Sequence, residues 1–294
     1  MIPIRELSRI LCPYPDSGRN ILVFEFHCDL SYDGNPPGNV KGVRHEPRTY
    51  VFAGFFANDE VWQCIESGWS RINEKYQVPR FHAAHLNSKT HEYQGWDDPK
   101  KIAYSAEMLQ VLHDQKKELS AVACGIFADE YRNIINEEGR RKMGSPYLLC
   151  FNSCISRVAS AMDKRGFPKA DRFSVLMDED DGYLSAIANF QMMRSHPLFE
   201  HRHRLGTCTP GNMDELVVLQ PADLIAYEAF KWLEEARKYG PEKMEPKRFP
   251  LQSLLKYNHV AEGYWSHETL LRDKPRIESI PCAVEGGLII IPSN

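Results

Sequence analysis

Hydrophobic and polar residues alternate from Ile21 to Asp29. Leu22, Phe24, Phe26 and Cys28 fall on one side, and Glu25, His27 and Asp29 on the other. This period of two predicts a strand that ends on Asp29, on its polar side. Gly34, Pro36, Pro37 and Gly38 then mark a turn or loop, and the β-branched and aromatic run Thr49–Ala57 supplies an antiparallel partner. The chain is therefore expected to open with a hairpin.

Asn58 or Asp59 caps a predicted helix to about Tyr76, with Val61, Ile65, Trp69 and Ile72 on one face and Pro79 beyond its end. Phe81–Trp96 shows neither period and carries His82, His85 and His91, so it reads as a functional, lid-like loop. A helix over Pro99–Lys116, a strand over Leu119–Phe127 and a short helix over Tyr131–Glu138 follow. Ser145 caps and Pro146 opens a longer helix, whose buried stripe is Leu148, Phe151, Ile155, Val158 and Met162 and which Gly166 and Pro168 stop. In the short strand Phe173–Asp178, positions 174, 176 and 178 share a face, so a second aspartate ends a strand. A helix from about Gly182 to Ser195, a loop-rich stretch to Asn212, a brief strand Glu215–Val218 and a helix Pro221–Tyr239 complete the pattern. Strands alternating with helices predict an α/β fold with a mixed sheet flanked by helices. Residues 21–240 are its domain, 1–20 an N-terminal extension, and 241–294 an irregular, Pro-rich and basic C-terminal extension packed on the core.

With 43% hydrophobic and 26% charged residues among 294, the chain has material for an ample core, which excludes disordered and fibrous classes. No apolar run is long enough to span a bilayer, and Arg5, Glu6 and Arg9 occupy the stretch where a secretory signal needs apolar residues. A soluble cytoplasmic protein without a membrane partner is expected. The eight cysteines are scattered, with no disulfide framework and no CxxC module, and read as reduced, mostly buried thiols. The net charge of −4 gives no global attraction for a polyanion, so contact with nucleic acid, DNA or RNA, must be local. His201–Arg202–His203–Arg204 and Arg140–Arg141–Lys142 are the basic candidates, although short charged runs are usually solvated surface. Trp96, Tyr93 and Tyr183 are candidates for stacking on unpaired bases. Nothing in the sequence calls for a homo-oligomer.

The chemistry gathers around Asp223. Pro221 opens a helix whose core stripe is Ala222, Ile225, Ala226, Ala229, Phe230 and Leu233, and Asp223 lies in its first turn. An acid there also complements the positive helix end. Hard divalent cations in phosphoryl transfer need oxygen ligands from several elements. Asp29 and Asp178 at strand ends and Asp223 at a helix start meet that need. Taken singly, Asp29 also reads as a turn former and Asp178 as part of the acidic run to Asp181. A zinc set of His82, His85, His91 and a distant Cys is less favoured, because its spacing matches neither a helical HExxH nor a finger.

Asp29–Leu30–Ser31, Phe81–His82–Ala83, the strand ending at Asp178, Gly144–Ser145–Pro146–Tyr147 and above all Leu219–Gln220–Pro221–Ala222–Asp223–Leu224 resemble a known family. It is the uncharacterised family called domain of unknown function 3800, grouped with the ribonuclease H-like superfamily, and the resemblance spans roughly Ile21 to Trp232. It implies a ribonuclease H-like mixed sheet and a metal-dependent nuclease. Asp29, Asp178 and Asp223 would hold two Mg²⁺ or Mn²⁺ ions, one activating a water and the other stabilising the leaving 3′ oxygen. His82 would position that water or a phosphate oxygen. The family's opening motif carries Glu after its Asp, where this chain has Leu30. Adjacent strand residues point to opposite faces, so that Glu need not share the site, and Glu25, His27, Asp33 or Asp180 are nearby substitutes. The alternative is a catalytically impaired ribonuclease H-like protein that binds nucleic acid or a protein partner, since a fold does not establish an activity.

Overall fold

The opening hairpin forms as the alternation requires: β1 (Arg19–Cys28) runs antiparallel to β2 (Thr49–Asn58), from Asn20 opposite Asn58 to Cys28 opposite Tyr50. The structure is a computed structural model that describes Glu6 and residues 19–28, 48–179, 182–240, 248–257 and 259–279. Asp29, Leu30, Asp33 and Asp180 lie outside the described residues, as does the turn expected at Gly34–Gly38.

Asn58 caps α1 (Asp59–Tyr76) by accepting the Val61 N–H at 3.0 Å. Two helices follow, α2 (Ala83–Ser88) and α3 (Asp98–Asp114), and then β3 (Ser120–Phe127), antiparallel to β2. The single short helix expected at Tyr131–Glu138 is two, α4 (Ala128–Ile134) and α5 (Glu137–Met143). Asn136 divides them, because its side chain accepts the Gly139 N–H and starts a new helix. Ser145 caps α6 (Pro146–Lys164) as predicted, and β4 (Arg172–Asp178) lies parallel to β1.

Beyond α7 (Tyr183–Ser195), the pattern misleads in three places. The loop-rich stretch before Asn212 contains β5 (Leu205–Gly211), parallel to β4; Gly206, Pro210 and Gly211 hide it. The brief strand expected at Glu215–Val218 is a turn and the 3₁₀ segment Val217–Leu219, which leads directly into α8 (Gln220–Tyr239). The supposedly irregular C-terminal region contains α9 (Phe249–Tyr257), β6 (His259–Trp265) and α10 (His267–Ser279), and β6 adds to the sheet beside β3. The sheet is mixed and six-stranded, in the order β5-β4-β1-β2-β3-β6.

Helices cover both faces. Val51, Ala53, Phe55 and Ala57 of β2 and Leu176 of β4 face a core built with α1, α3 and α8. Phe52 and Phe56, with Phe173, Val175 and Met177, face a second core built with α6, α7 and α10. Each of the Val, Leu, Phe and Met side chains among them contributes about 1.5–3 kcal/mol on burial. The alternation of β4 therefore aims Asp178 at the same face as Leu176, where α8 lies. Among the described residues, no helix is long and apolar enough to cross a membrane.

Candidate functional site

Asp223 is 1% exposed in the first turn of α8, and its Oδ2 accepts the Ala83 N–H at 2.6 Å. That N–H opens α2, whose N-cap residue His82 makes no capping bond of its own, so the cap comes from Asp223, 140 residues away. Gln220, one turn earlier, accepts the Phe81 N–H at 3.0 Å through Oε1, which also accepts from Asn73 Nδ2 at 3.0 Å. Asn73 in turn accepts from Tyr104 Oη at 2.6 Å. The intervening His82 N–H donates to Tyr93 Oη at 3.1 Å, and that hydroxyl donates to the Arg80 carbonyl at 3.0 Å. Three successive backbone N–H groups thus end on three buried side chains. Burial raises the Tyr93 hydroxyl to about 12 and keeps it a neutral donor.

The lid-like reading of Phe81–Trp96 is accordingly corrected: the segment is folded, with α2 and a 3₁₀ turn at His91–Tyr93, and is tied to the core. Tyr93 is fully buried and unavailable for base stacking, whereas half-buried Trp96 packs edge-on against Tyr93 and Tyr104 under the Lys100 ammonium. Tyr183 is half-buried against the second core.

His82 Nδ1 is buried without a hydrogen bond, 3.5 Å from Asp223 Oδ2. That separation is too long for a good hydrogen bond. From His82 a ladder of imidazoles leads outward: His85 stacks on it at 3.8 Å between centroids, and exposed His91 stacks on His85 at 3.9 Å. Burial, and then the neighbouring His82, lower the His85 pKa below the ordinary imidazole value, while Glu92 opposes them. The stacking disfavours the zinc set. Imidazole lone pairs lie in the ring plane, so near-parallel rings direct them side by side and not toward one ion.

Asp178 ends β4 opposite Gly211, and its Oδ1 accepts the Met213 N–H at 3.2 Å. The next residue, Asp214, pairs with Arg80, two residues before His82. A Cβ on Gly211 would meet Leu176, Leu216 and Leu219, the last of which immediately precedes α8. The turn after β5 therefore links the end of β4 to the start of α8 and to the Phe81–Ala83 segment. Extending the parallel register one residue past Phe24 opposite Met177 brings Glu25 level with Asp178; Asp29 is four residues further and outside the described residues. Among the described residues, no three His, Cys, Asp or Glu side chains form a metal-holding group.

No family model, curated protein or solved structure matches this chain.

The two basic runs have structural roles. Arg204 is buried, bonds Asp163 at 2.7 Å, and donates to the carbonyls of Phe167, Pro168 and Asp171, while His201 bonds the same Asp163 at 2.6 Å. Arg140 donates to the Arg132 and Ile135 carbonyls, and Lys142 pairs with Glu138. Arg204 is thus buried and Arg140 engaged by backbone carbonyls, whereas Arg141 and Arg202 of the same runs are exposed. Two further cations, Lys101 and Arg248, meet at Asn87 beside the buried Glu228. They are 147 residues apart in the chain and belong to no motif, so no local signal marked them.

Proposed function

We propose that this protein is a divalent-metal-dependent phosphodiester hydrolase with a ribonuclease H-like fold, in which Asp178 and Asp223 act with Asp29 as metal ligands. The observation that carries the reading is the buried Asp223 carboxylate beside the unsatisfied Nδ1 of His82, on the sheet face to which β4 delivers Asp178. The fold assignment is supported by the antiparallel start of the sheet, by β4 parallel to β1 and by β5 parallel to β4.

The donor set fits Mg²⁺ or Mn²⁺ in kind, because hard cations take carboxylate oxygens supplied by rigid elements. Bound there, such ions supply a nucleophilic water and neutralise charge on the leaving oxygen. The chain's own residues do the rest. Gln220, Tyr93 and Asp223 fix the Phe81–Ala83 backbone and with it the His82 ring beside Asp223, from which His82 would orient a water or phosphate oxygen. Burial of Asp223 keeps bulk water from competing for its carboxylate.

Labelled single-stranded DNA, duplex DNA and RNA incubated with Mn²⁺ and with EDTA test the reading. Cleavage of at least one substrate that needs the metal and stops in EDTA is expected. Binding without cleavage under every metal condition would transfer the protein to the impaired, binding-only class.

A further inference from the structure

Helices α2 and α8 run side by side from the Ala83–Asp223 bond. One turn further along both, about 6 Å at 1.5 Å per residue, lie Asn87 and Tyr227. Two cations converge there. Arg248 donates to Asn87 Oδ1 at 2.9 Å, and Lys101 donates to the Asn87 carbonyl at 3.2 Å. Arg248 Nε lies 3.1 Å from Glu228 Oε2, yet that oxygen makes no aligned hydrogen bond. The guanidinium also sits 5.7 Å over the Tyr227 ring, and Lys231 approaches the same ring at 5.6 Å. Lys89 stands close by at the end of α2, paired with the exposed Asp98.

Lys101 and Arg248 bond the same Asn87, and the carboxylate paired with Arg248 is the buried Glu228. Burial, and then the charge of Arg248, lower the Lys101 pKa, while Asp98 and Glu228 oppose them. Glu228, the carboxylate beneath them, is 3% exposed, and burial raises it to about 7, so it is largely neutralised on the acid side of that value. A planar guanidinium fork beside a compact ammonium suits phosphate oxygens.

We propose that Lys101 and Arg248 hold a backbone phosphate of a polynucleotide strand, one helical turn along α8 from Asp223. The placement of a scissile bond at Asp223 rests on the nuclease reading; the phosphate contact does not. A strand laid over the solvent side of α2, where Ala84, His85, Asn87 and Ser88 reach the surface, would carry one phosphate past this cation pair and a neighbouring one toward the candidate metal ligands.

The test is fluorescence anisotropy of a labelled 12-nucleotide single strand, titrated in EDTA at several salt concentrations, for the full chain and for Lys101→Gln, Arg248→Lys and Lys164→Gln. Lys164 is exposed at the end of α6, against the other core, and serves as the control. Lys101→Gln is expected to weaken binding about three- to ten-fold and to reduce the slope of log K against log salt by about 0.7, the value for one lost single-strand phosphate contact. Arg248→Lys keeps the charge that anchors Glu228 and is expected to weaken binding while leaving the slope nearly unchanged. Equal effects of Lys101→Gln and the Lys164 control, or no binding by the unmodified protein, would overturn the inference. So would a Lys101→Gln variant that loses competition by inorganic phosphate but binds the oligonucleotide normally, which marks a small-anion site. If the Lys101 effect holds while the unmodified protein neither binds Mn²⁺ nor cleaves, the nuclease reading fails and the phosphate contact stands.

Discussion

Gln220 and Asp223, one turn apart at the start of α8, grip alternate backbone N–H groups of one tripeptide: Phe81 at 3.0 Å and Ala83 at 2.6 Å. The two most distinctive sequence elements, Leu219–Leu224 and Phe81–His82–Ala83, are therefore one structural unit assembled across the core. His82 lies between the gripped positions, so its ring is placed by bonds that its own side chain does not make.

Removing the grip at Gln220 is expected to weaken the fold. Gln220→Ala leaves the Phe81 N–H and Asn73 Nδ2 buried without their acceptor, and each orphaned donor costs about 1–3 kcal/mol. Urea denaturation should show a loss of about 2–4 kcal/mol. A change below about 0.5 kcal/mol, the range of ordinary surface substitutions, would mean that water or rearrangement replaces the bond and that the unit is not rigid.

Arg204 separates a structural role from a binding one. Arg204→Met removes the donor to three carbonyls and leaves Asp163 with His201 alone of its two close partners, and is expected to cost about 3–5 kcal/mol in thermal unfolding. Oligonucleotide affinity, measured well below the lowered transition, should match the unmodified protein. Weakened binding with intact stability would return the His201–Arg204 run to the nucleic-acid interface.

Glu228 makes stability depend on pH in a defined window. Its folded value of about 7 exceeds the ordinary 4.5, so the folded state binds the proton more tightly than the unfolded chain. Its contribution is fully present below about pH 4.5 and is lost as pH rises to about 7. Glu228→Gln removes this dependence. Relative to the unmodified protein, the variant should gain about 1–3 kcal/mol across that window and hold the gain above it. Parallel stability curves from pH 4 to 8 would show that Glu228 does not titrate in this range.

Much of the frame was legible in the chain. Alternation marked β1, the β-branched and aromatic run marked β2, the shared face of positions 174, 176 and 178 marked β4, and Asn58 or Asp59, Ser145 and Pro221 marked helix starts within a residue or two of where the helices begin. What escaped has physical reasons. Strand β5 reads Leu-Gly-Thr-Cys-Thr-Pro-Gly, too poor in large apolar residues to show a period, and lies at the sheet edge, where Pro210 is tolerated. Strand β6 is at the other edge, and its identity depends on pairing with β3 rather than on its own pattern. Helix α2 is too short for periodicity and takes its cap from Asp223, a bond that no local signal announces. At the site, sequence identified Asp178, Asp223 and His82 as residues of interest, but not Asn73, Tyr104 or Gln220 as the frame that holds His82. Those are tertiary hydrogen bonds, and a single chain pattern carries no record of them.

The central claim is that Asp223 holds a metal ion as well as capping α2. Calorimetric titration of Mn²⁺ into the unmodified protein and Asp223→Asn tests it most directly, because Asn keeps an oxygen for the Ala83 N–H and removes only the charge. Saturable Mn²⁺ binding that disappears in the variant, with an unchanged circular dichroism spectrum, is expected. Equal Mn²⁺ affinity in the two proteins would contradict it and leave Asp223 as a helix cap alone.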